Sequence, residues 1–206
     1  MALSFDLFGT LVAADRPSTP WDAVASALTD RGVAVPDDWE DAYRNSHREY
    51  ERGREAPLPE HVRLALESRG VDVSARVARD AVLDAFDTPV TVRPDAGAAV
   101  TAAREQGPVA VCSNCSVPGL VERTLDRASL GPFEAVVTSV DCGWRKPHRE
   151  IFAATADALG VPLATLVHVG DDARTDGGAG RVGARSVLID ETPLATVARR
   201  CREGSL

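Results

Sequence analysis

The sequence predicts an α/β protein, with a Rossmann-like parallel sheet covered by helices on both faces and a small all-helical domain inserted near the N-terminus. From about residue 92 onward, short runs that are apolar throughout alternate with helical patterns. Strands of this kind are typical of a parallel sheet that is buried on both faces. Residues 14 to about 90, in contrast, contain helical patterns and no convincing strand.

The predicted core begins with residues 2–6, a short apolar strand that ends on Asp6. The later strands and helices alternate along the chain, as expected for repeated βα units. The strands are the apolar runs at 108–113, 133–139, 164–170 and 184–190, and the helices lie near 94–106, 117–127, 147–159 and 173–182. We therefore expect residues 1–13 and 91–206 to form one α/β core domain.

The inserted segment carries four amphipathic helical patterns, which are separated by stretches that contain Pro or Gly. They lie near 20–31, 37–52, 59–69 and 74–86. The insertion directly follows the first strand, at the carboxyl edge where parallel sheets bind their ligands. We therefore expect residues 14–90 to form a helical cap domain over that edge.

Composition limits the classes of partner. The formal net charge of −8 argues against nucleic acid, because binding to a phosphate backbone requires an excess of clustered Lys and Arg. The sequence has no apolar run of the roughly 18 residues that a membrane helix needs, and no signal-peptide pattern. We therefore expect a cytoplasmic protein that binds neither nucleic acid nor a membrane; its oligomeric state, monomer or homodimer, stays open.

Four short stretches place polar residues beyond the apolar strands. They contribute Asp6, Ser113 with Asn114, Lys146, and the acids Asp171, Asp172 and Asp176. Taken alone, Asp6, Ser113 and the pair Asp171 and Asp172 also fit a turn or a helix cap. Because the carboxyl ends of parallel strands meet at one edge of a sheet, the four stretches together predict a catalytic site.

Lys146 is the only lysine in the chain, and all other basic side chains of the Lys and Arg class are arginines. Arginine replaces lysine readily on a solvated face. It does not do so where a compact ammonium must contact a carboxylate and a small anion together. The solitary lysine therefore favours a role in the site.

In these four stretches, their order and spacing, and the cap inserted after the first, the sequence resembles the haloacid dehalogenase (HAD) superfamily of hydrolases. The resemblance covers essentially the whole chain. It implies that Asp6 is a nucleophile that forms a covalent aspartyl intermediate, that Ser113 binds the transferring group, and that Lys146 neutralises it. Asn114, Phe8 and Thr10 are the further substrate-binding candidates.

In the phosphatase members of that superfamily, Mg²⁺ is bound by the nucleophile and by the backbone carbonyl two residues later, which here belongs to Phe8. The third ligand is an acid of the fourth stretch, here Asp171, and Asp172 and Asp176 are further candidates. Oxygen ligands suit Mg²⁺, which keeps several of its waters. The resemblance therefore implies a Mg²⁺ cofactor.

Phe8 departs from the phosphatase pattern, in which a second Asp protonates the leaving alcohol. Such a general acid is typically worth roughly 10²–10⁴ in rate. Dehalogenase members carry an aromatic residue at this position, because chloride leaves without a proton, and "SNCSVP" also resembles their second motif. Those members, however, lack a Mg²⁺ site and carry neutral residues where this chain has "GDD".

Buried like charges without a cation are costly, whereas the loss of a general acid only restricts the leaving group. The sequence therefore favours Mg²⁺-dependent hydrolysis of a small phosphorylated metabolite. Two alternatives stay open. One is a 2-haloacid dehalogenase, and the other is a member with little catalysis that binds a small anion or a protein.

Three further patterns favour structural interpretations. "CSNC" lacks the second ligand pair of a zinc site, and we expect the four cysteines to be reduced. "GAGRVG" does not turn directly from a strand into a helix, as a dinucleotide site would require, so its glycines are expected to allow close packing. The cap aromatics are candidates for the substrate pocket but are more typical of a core: Trp21, Trp39, Tyr43, His47 and Tyr50.

Overall fold

Seven strands and ten α-helices are present in the computed structural model, which describes residues 1–206. The strands are β1 (Ala2–Phe5), β2 (Val12–Ala14), β3 (Val90–Val92), β4 (Val109–Ser113), β5 (Ala135–Thr138), β6 (Leu166–Gly170) and β7 (Arg185–Leu188). The helices are α1 (Pro20–Thr29), α2 (Trp39–Arg44), α3 (Leu58–Glu67), α4 (Ala75–Phe86), α5 (Ala96–Arg104), α6 (Leu120–Ala128), α7 (Ser139–Cys142), α8 (Arg149–Ala158), α9 (Gly178–Arg181) and α10 (Leu194–Arg202).

Five of the strands form a parallel sheet in the order β5-β4-β1-β6-β7, which confirms the predicted fold class. β1 is the central strand, and Phe5 is paired with Val111 of β4 and Val169 of β6. Asp6 therefore emerges at the middle of the carboxyl edge. The ends of β4 and β6, at Ser113 and Gly170, lie on either side of it.

Both faces of this sheet are covered by helices. Leu3 and Phe5 of β1 belong to a buried cluster that includes residues of α5 and α10, whereas Ala2 belongs to a second cluster with Ile151 and Phe152 of α8. Loss of a fully buried Phe side chain typically costs about 3–5 kcal/mol. β1 is thus firmly packed, and it holds Asp6 in a fixed position.

The inserted segment is helical, as expected, but it differs from the prediction in two places. β2 and β3 pair antiparallel at its two ends, a ribbon too short to be recognised from three residues each. α2 ends at Arg44 rather than near residue 52, because residues 45–52 offer no apolar face for a helix to bury. The proposed domain boundaries, 1–13 with 91–206 and 14–90, stay a prediction.

The C-terminal part of the chain also departs from the prediction. α9 has four residues, whereas a helix near 173–182 was expected, because residues 171–177 form turns around Asp176. α7 and α10 were not predicted. None of the helices combines the length and the apolar character needed to cross a membrane.

Candidate active site

Asp6 is the centre of the site and is only 6% exposed. The hydroxyl of Ser113 donates a hydrogen bond to Asp6 Oδ1 at 2.9 Å, and the ammonium of Lys146 donates to the same oxygen at 2.8 Å. Side chains far apart in sequence thus converge on one carboxylate oxygen, as the positions at the strand ends predicted. No protein donor contacts Asp6 Oδ2.

Lys146 is buried and uses all three of its N–H donors. Besides Asp6, it donates to Asp176 Oδ1 at 2.6 Å and to the Cys112 carbonyl at 2.8 Å. Burial alone would lower the pKa of Lys146, but the charges of Asp6 and Asp176 outweigh this effect and raise the pKa above its ordinary value. The side chain is therefore a cation fixed between two carboxylates.

Asn114 holds the loop that carries Lys146. Its side-chain amide donates to the Lys146 carbonyl at 3.0 Å, and its carbonyl oxygen accepts from the Lys146 N–H at 2.7 Å. Asn114 was expected to bind substrate. It does border the site cavity, but its polar atoms are engaged with the Lys146 backbone, so we assign it to positioning.

Asp176 is buried and accepts four hydrogen bonds. Oδ1 accepts from Lys146 and from His168 Nε2 at 2.9 Å, and Oδ2 accepts from the backbone N–H groups of Asp171 and Asp172 at 3.2 and 3.0 Å. These bonds fill the lone-pair positions of the carboxylate. Asp176 thus supports Lys146; its expected role as a metal ligand stays a prediction, and one of its oxygens lies in the carboxylate cluster with Asp6 and Asp171. Gly170 makes room for it, since a Cβ there would lie 2.1 Å from Asp176 Cγ.

His168, which lies within the otherwise apolar strand "LVHVG", was not predicted as a residue of the site. Burial, together with the charge of Lys146, lowers the pKa of His168, so the ring is neutral. With Asp176 as a carboxylate, the network assigns the ring proton to Nε2, and Nδ1 accepts from Ser4 Oγ at 2.9 Å. The sequence feature that could have identified His168 is its position as a polar residue inside an apolar strand.

Asp171 is held by Thr10, whose hydroxyl donates to Oδ1 at 2.9 Å. Thr10 was expected to contact substrate, but it is fully buried and does not border the site cavity, so we assign it to orienting Asp171. Burial, and then the charge of Asp6, raises the pKa of Asp171. Gly9, at φ +95°, passes so close that a Cβ would lie 2.4 Å from Asp171 Oδ2.

The site fits a divalent cation. Asp6, Asp171 and Asp176 each offer one oxygen within 4.8 Å of the others. Three carboxylates face one ammonium, while His168 is neutral. Three oxygens receive no hydrogen bond from the protein and suit Mg²⁺: Oδ2 of Asp6, Oδ2 of Asp171 and the Phe8 carbonyl.

Asp172 is the remaining metal candidate, and it lies at the rim. Its side chain is 36% exposed, and Oδ1 accepts from the Arg174 N–H at 2.8 Å. It contributes no oxygen to the carboxylate cluster. Its contacts are those of a residue that caps a turn.

A cavity of about 250 Å³, which we call the site cavity, lies in front of Asp6. It is bordered by most of the predicted residues and by three that were not predicted. The predicted ones are Asp6, Phe8, Ser113, Asn114, Lys146, Asp171, Asp172 and Asp176, and the additional ones are Arg16, Arg145 and Thr175. Arg145 lies in the stretch "WRKPH" beside Lys146 but was not singled out, and Arg16 lies outside the four stretches, where nothing local distinguishes it from the other arginines among the 22.

Glu55, from the irregular segment before α3, joins the inserted helices to the sheet. It is 4% exposed, and its carboxylate accepts hydrogen bonds from the Ser139 hydroxyl and, at 2.9 Å, from the Arg145 guanidinium. Backbone bonds on either side link Glu55 N–H to Gly143 and Arg145 N–H to Gly53. This contact fixes Arg145, directly before Lys146, at the wall of the site cavity.

The cap aromatics do not border the site cavity. Trp21, Tyr43 and Tyr50 line a separate cavity of about 430 Å³ among the inserted helices. Trp39 is buried in the main core, and His47 donates to the Ala42 carbonyl. Their helical spacing thus reflects packing within the insertion.

Two remaining sequence patterns have structural explanations. Burial raises the pKa of the Cys112 and Cys115 thiols to about 11, so neither is a thiolate near neutral pH. Gly178, the first glycine of "GAGRVG", packs so tightly against Pro147 that a Cβ would lie 2.4 Å from the Pro147 Cβ. This close approach keeps α9 against the loop that carries Lys146.

Comparison with solved structures finds similar folds. L-2-haloacid dehalogenase from Xanthobacter autotrophicus has a TM-score of 0.56 and 24% identity, over 98% of this chain and 82% of that one. The HAD-hydrolase YfnB from Bacillus subtilis bound to magnesium has a TM-score of 0.56 and 17% identity, over 91% and 87%. CbbY from Rhodobacter sphaeroides in complex with phosphate has a TM-score of 0.60 and 19% identity, over 91% and 84%.

At these identities the likeness shows the fold. No curated protein matches the chain at a significant level. The family model for haloacid dehalogenase-like hydrolases, however, matches residues 1–183, which include every residue of the site described above. The chain therefore belongs to the haloacid dehalogenase-like hydrolases and is a hydrolytic enzyme.

Proposed function

We propose that the enzyme is a Mg²⁺-dependent phosphohydrolase that acts on a small phosphorylated metabolite through a covalent intermediate on Asp6. The observation that supports this proposal most strongly is the position of the Asp171 carboxylate. Its carboxylate is half-buried, offers an oxygen within 4.8 Å of oxygens of Asp6 and Asp176, and has one oxygen that receives no hydrogen bond from the protein. Without a cation, this arrangement would repel any anionic substrate.

Asp6 Oδ1 is the proposed nucleophile. It attacks phosphorus, the new O–P bond forms as the bond to the leaving oxygen breaks, and the leaving group departs with that electron pair. Water then attacks phosphorus and releases inorganic phosphate, which restores the Asp6 carboxylate. Because Ser113 and Lys146 both donate to Oδ1, a phosphoryl group bonded there lies next to both donors. Ser113 and Lys146 can then donate their hydrogen bonds to the phosphoryl oxygens.

Asp6, Asp171 and the Phe8 carbonyl would hold Mg²⁺, which when bound neutralises charge between an anionic nucleophile and an anionic phosphoryl group. The solved structures are compatible with this proposal. CbbY is described in complex with phosphate, and YfnB is described as bound to magnesium.

The second candidate is a 2-haloacid dehalogenase, and Phe8 favours it. The side chain borders the site cavity where a proton donor for an alcohol would be needed, and a departing halide needs none. The similar fold from Xanthobacter autotrophicus is itself named an L-2-haloacid dehalogenase. This alternative does not explain why a carboxylate, Asp171, lies next to Asp6, because a dehalogenase needs no metal ligand there.

A paired assay separates the two candidates. The purified enzyme is incubated with p-nitrophenyl phosphate or with 2-chloropropionate, each with Mg²⁺ and with a chelator, and phosphate and chloride are measured. The proposal predicts phosphate release that the chelator abolishes, and no chloride. Chloride release that the chelator leaves unchanged, without phosphate release, would establish the dehalogenase instead.

Magnesium is expected to raise the thermal midpoint of the wild type, because a ligand that binds only the native state stabilises it by mass action. At about 100 times the dissociation constant, the gain is roughly 2.7 kcal/mol. Asp171→Asn should lose most of this shift, whereas Asp172→Asn should keep it, since Asp172 lies at the rim. Equal shifts in all three proteins, measured by differential scanning fluorimetry, would remove Asp171 as a ligand.

Because Phe8 cannot donate a proton, the rate of hydrolysis should fall steeply as the pKa of the leaving group rises. Acyl and aryl phosphates should be hydrolysed, and alkyl phosphates hardly at all. Phe8→Asp should raise kcat/KM selectively on alkyl phosphates, up to the roughly 10²–10⁴ of general-acid catalysis, and Phe8→Asn is the matched control without a proton. Equal wild-type rates on alkyl and aryl phosphates would show that another group already protonates the leaving oxygen.

A further inference from the structure

The site cavity adjoins a second cavity of about 160 Å³, which we call the apolar cavity. The two share four lining residues: Phe8, Arg16, Asn114 and Arg145. Because the same side chains border both spaces, the two cavities are adjacent, and a molecule held at Asp6 that extends into the second would pass these residues. The shared residues therefore mark where the leaving group of a substrate would pass.

The apolar cavity suits a small hydrophobic body. Half of its lining residues are hydrophobic: Phe8, Ala14, Phe86, Cys115, Val117 and Leu120. Phe86 ends the last inserted helix and Leu120 begins α6, so the cavity lies where the inserted helices meet the sheet. Its size and lining fit an aromatic ring or a short branched chain.

Two arginines border the junction of the cavities, and they differ in their partners. Arg145 is paired with Glu55. Arg16, two residues beyond β2, is exposed and takes part in none of the ion pairs of the structure. Its guanidinium thus has no carboxylate partner within ion-pair distance, it borders both cavities, and its planar fork matches a carboxylate.

We propose that Arg16 binds a carboxylate on the leaving group, so that the substrate is a phosphomonoester of a small carboxylic acid whose apolar body occupies the apolar cavity. This inference rests on the proposed phosphohydrolase function. It assigns the two ends of the substrate to different groups. Lys146 and Ser113 contact the phosphoryl end, and Arg16 selects the carboxylate end.

The test compares phenyl phosphate with 4-carboxyphenyl phosphate, which share an aryl body and differ in the carboxylate. Wild-type kcat/KM should be about tenfold higher for the carboxylated ester, a modest gain for a charge-assisted bond because Arg16 is exposed. Arg16→Gln should slow only the carboxylated ester and so reduce the preference to the small difference that the acidity of the two leaving groups causes. Arg76→Gln, whose side chain on α4 is 91% exposed and borders neither cavity, should keep it.

Binding provides a second measurement that does not depend on turnover. Calorimetric titration with phenylphosphonate and 4-phosphonobenzoate, in the presence of Mg²⁺, should show the same preference in the wild type and its loss in Arg16→Gln. Hydrolysis of both esters at equal rates, or an equal loss on both in Arg16→Gln, overturns this inference and leaves the phosphohydrolase intact. If the wild type neither hydrolyses the esters nor binds the phosphonates, both proposals fail.

Discussion

Asp6→Asn is expected to lower kcat by roughly 10⁴–10⁶, the loss typical of removing a nucleophile from a covalent mechanism. The amide is nearly isosteric with the carboxylate and keeps an oxygen acceptor for Ser113 and Lys146. The thermal midpoint in chelator should therefore change little, because Lys146 also keeps its bond to Asp176. Steady-state kinetics on p-nitrophenyl phosphate and a thermal melt measure the two effects.

The matched control is Asp157→Asn, the same substitution at an exposed acid of α8 that does not border the site cavity. It should leave both kcat and the thermal midpoint unchanged. An Asp6→Asn enzyme within tenfold of the wild type would remove Asp6 from the nucleophilic role. A variant that fails to fold would show instead that the carboxylate charge is structural.

Lys146→Met is expected to inactivate the enzyme and to destabilise it by about 3–5 kcal/mol, the typical effect of leaving a buried charge without its partner. Both Asp6 and Asp176 lose their ammonium in this variant. Lys146→Arg should also be severely impaired, because a planar guanidinium does not fit a position where three acceptors surround one nitrogen. Urea unfolding in chelator, together with kcat, measures these effects.

The double variant Lys146→Met/Asp176→Asn tests the cause of the instability. It should be more stable than Lys146→Met alone, because one of the two uncompensated charges is gone, but it should remain inactive. If Lys146→Met is as stable as the wild type in chelator, the buried charge pairs do not support this edge of the sheet. A fully active Lys146→Arg enzyme would show that the solitary lysine is accidental.

The sequence was sufficient for the sheet and for the edge where the site lies. Short, mostly apolar runs that alternate with helical patterns favour strands covered on both faces, and β1, β4 and β6 are of this kind. Once the strands are parallel, the positions of Asp6, Ser113 and Asp171 at their carboxyl ends follow from geometry.

The sequence did not predict which hydrogen bonds each residue of the site makes. Thr10 lies four residues after Asp6 and Asn114 directly follows Ser113, yet their hydrogen bonds go to Asp171 and to the Lys146 backbone. The position of Asp176 in the sequence indicated a metal ligand, but it did not show that its carboxylate also accepts four hydrogen bonds, one of them from Lys146. Such roles depend on which acceptor each donor reaches, and spacing along the chain does not determine this.

Contacts between the inserted helices and the sheet could not be predicted from the sequence either. Glu55 is one of many acids in a charged, irregular segment, and only the fold shows that it is buried against Arg145 and Ser139. Arg16 is likewise one arginine among many. Their importance depends on tertiary neighbours that carry no local pattern.

The most direct test of the account is the mass of the peptide that contains Asp6 after a single turnover. The enzyme is mixed with p-nitrophenyl phosphate and Mg²⁺, quenched rapidly in acid, digested and analysed, and a parallel sample receives 2-chloropropionate. We predict that the peptide gains the mass of one phosphoryl group in the first sample, that Asp6→Asn gains nothing, and that the second sample is unmodified. A propionate ester on Asp6 in the second sample, with no phosphoryl group in the first, would contradict the account.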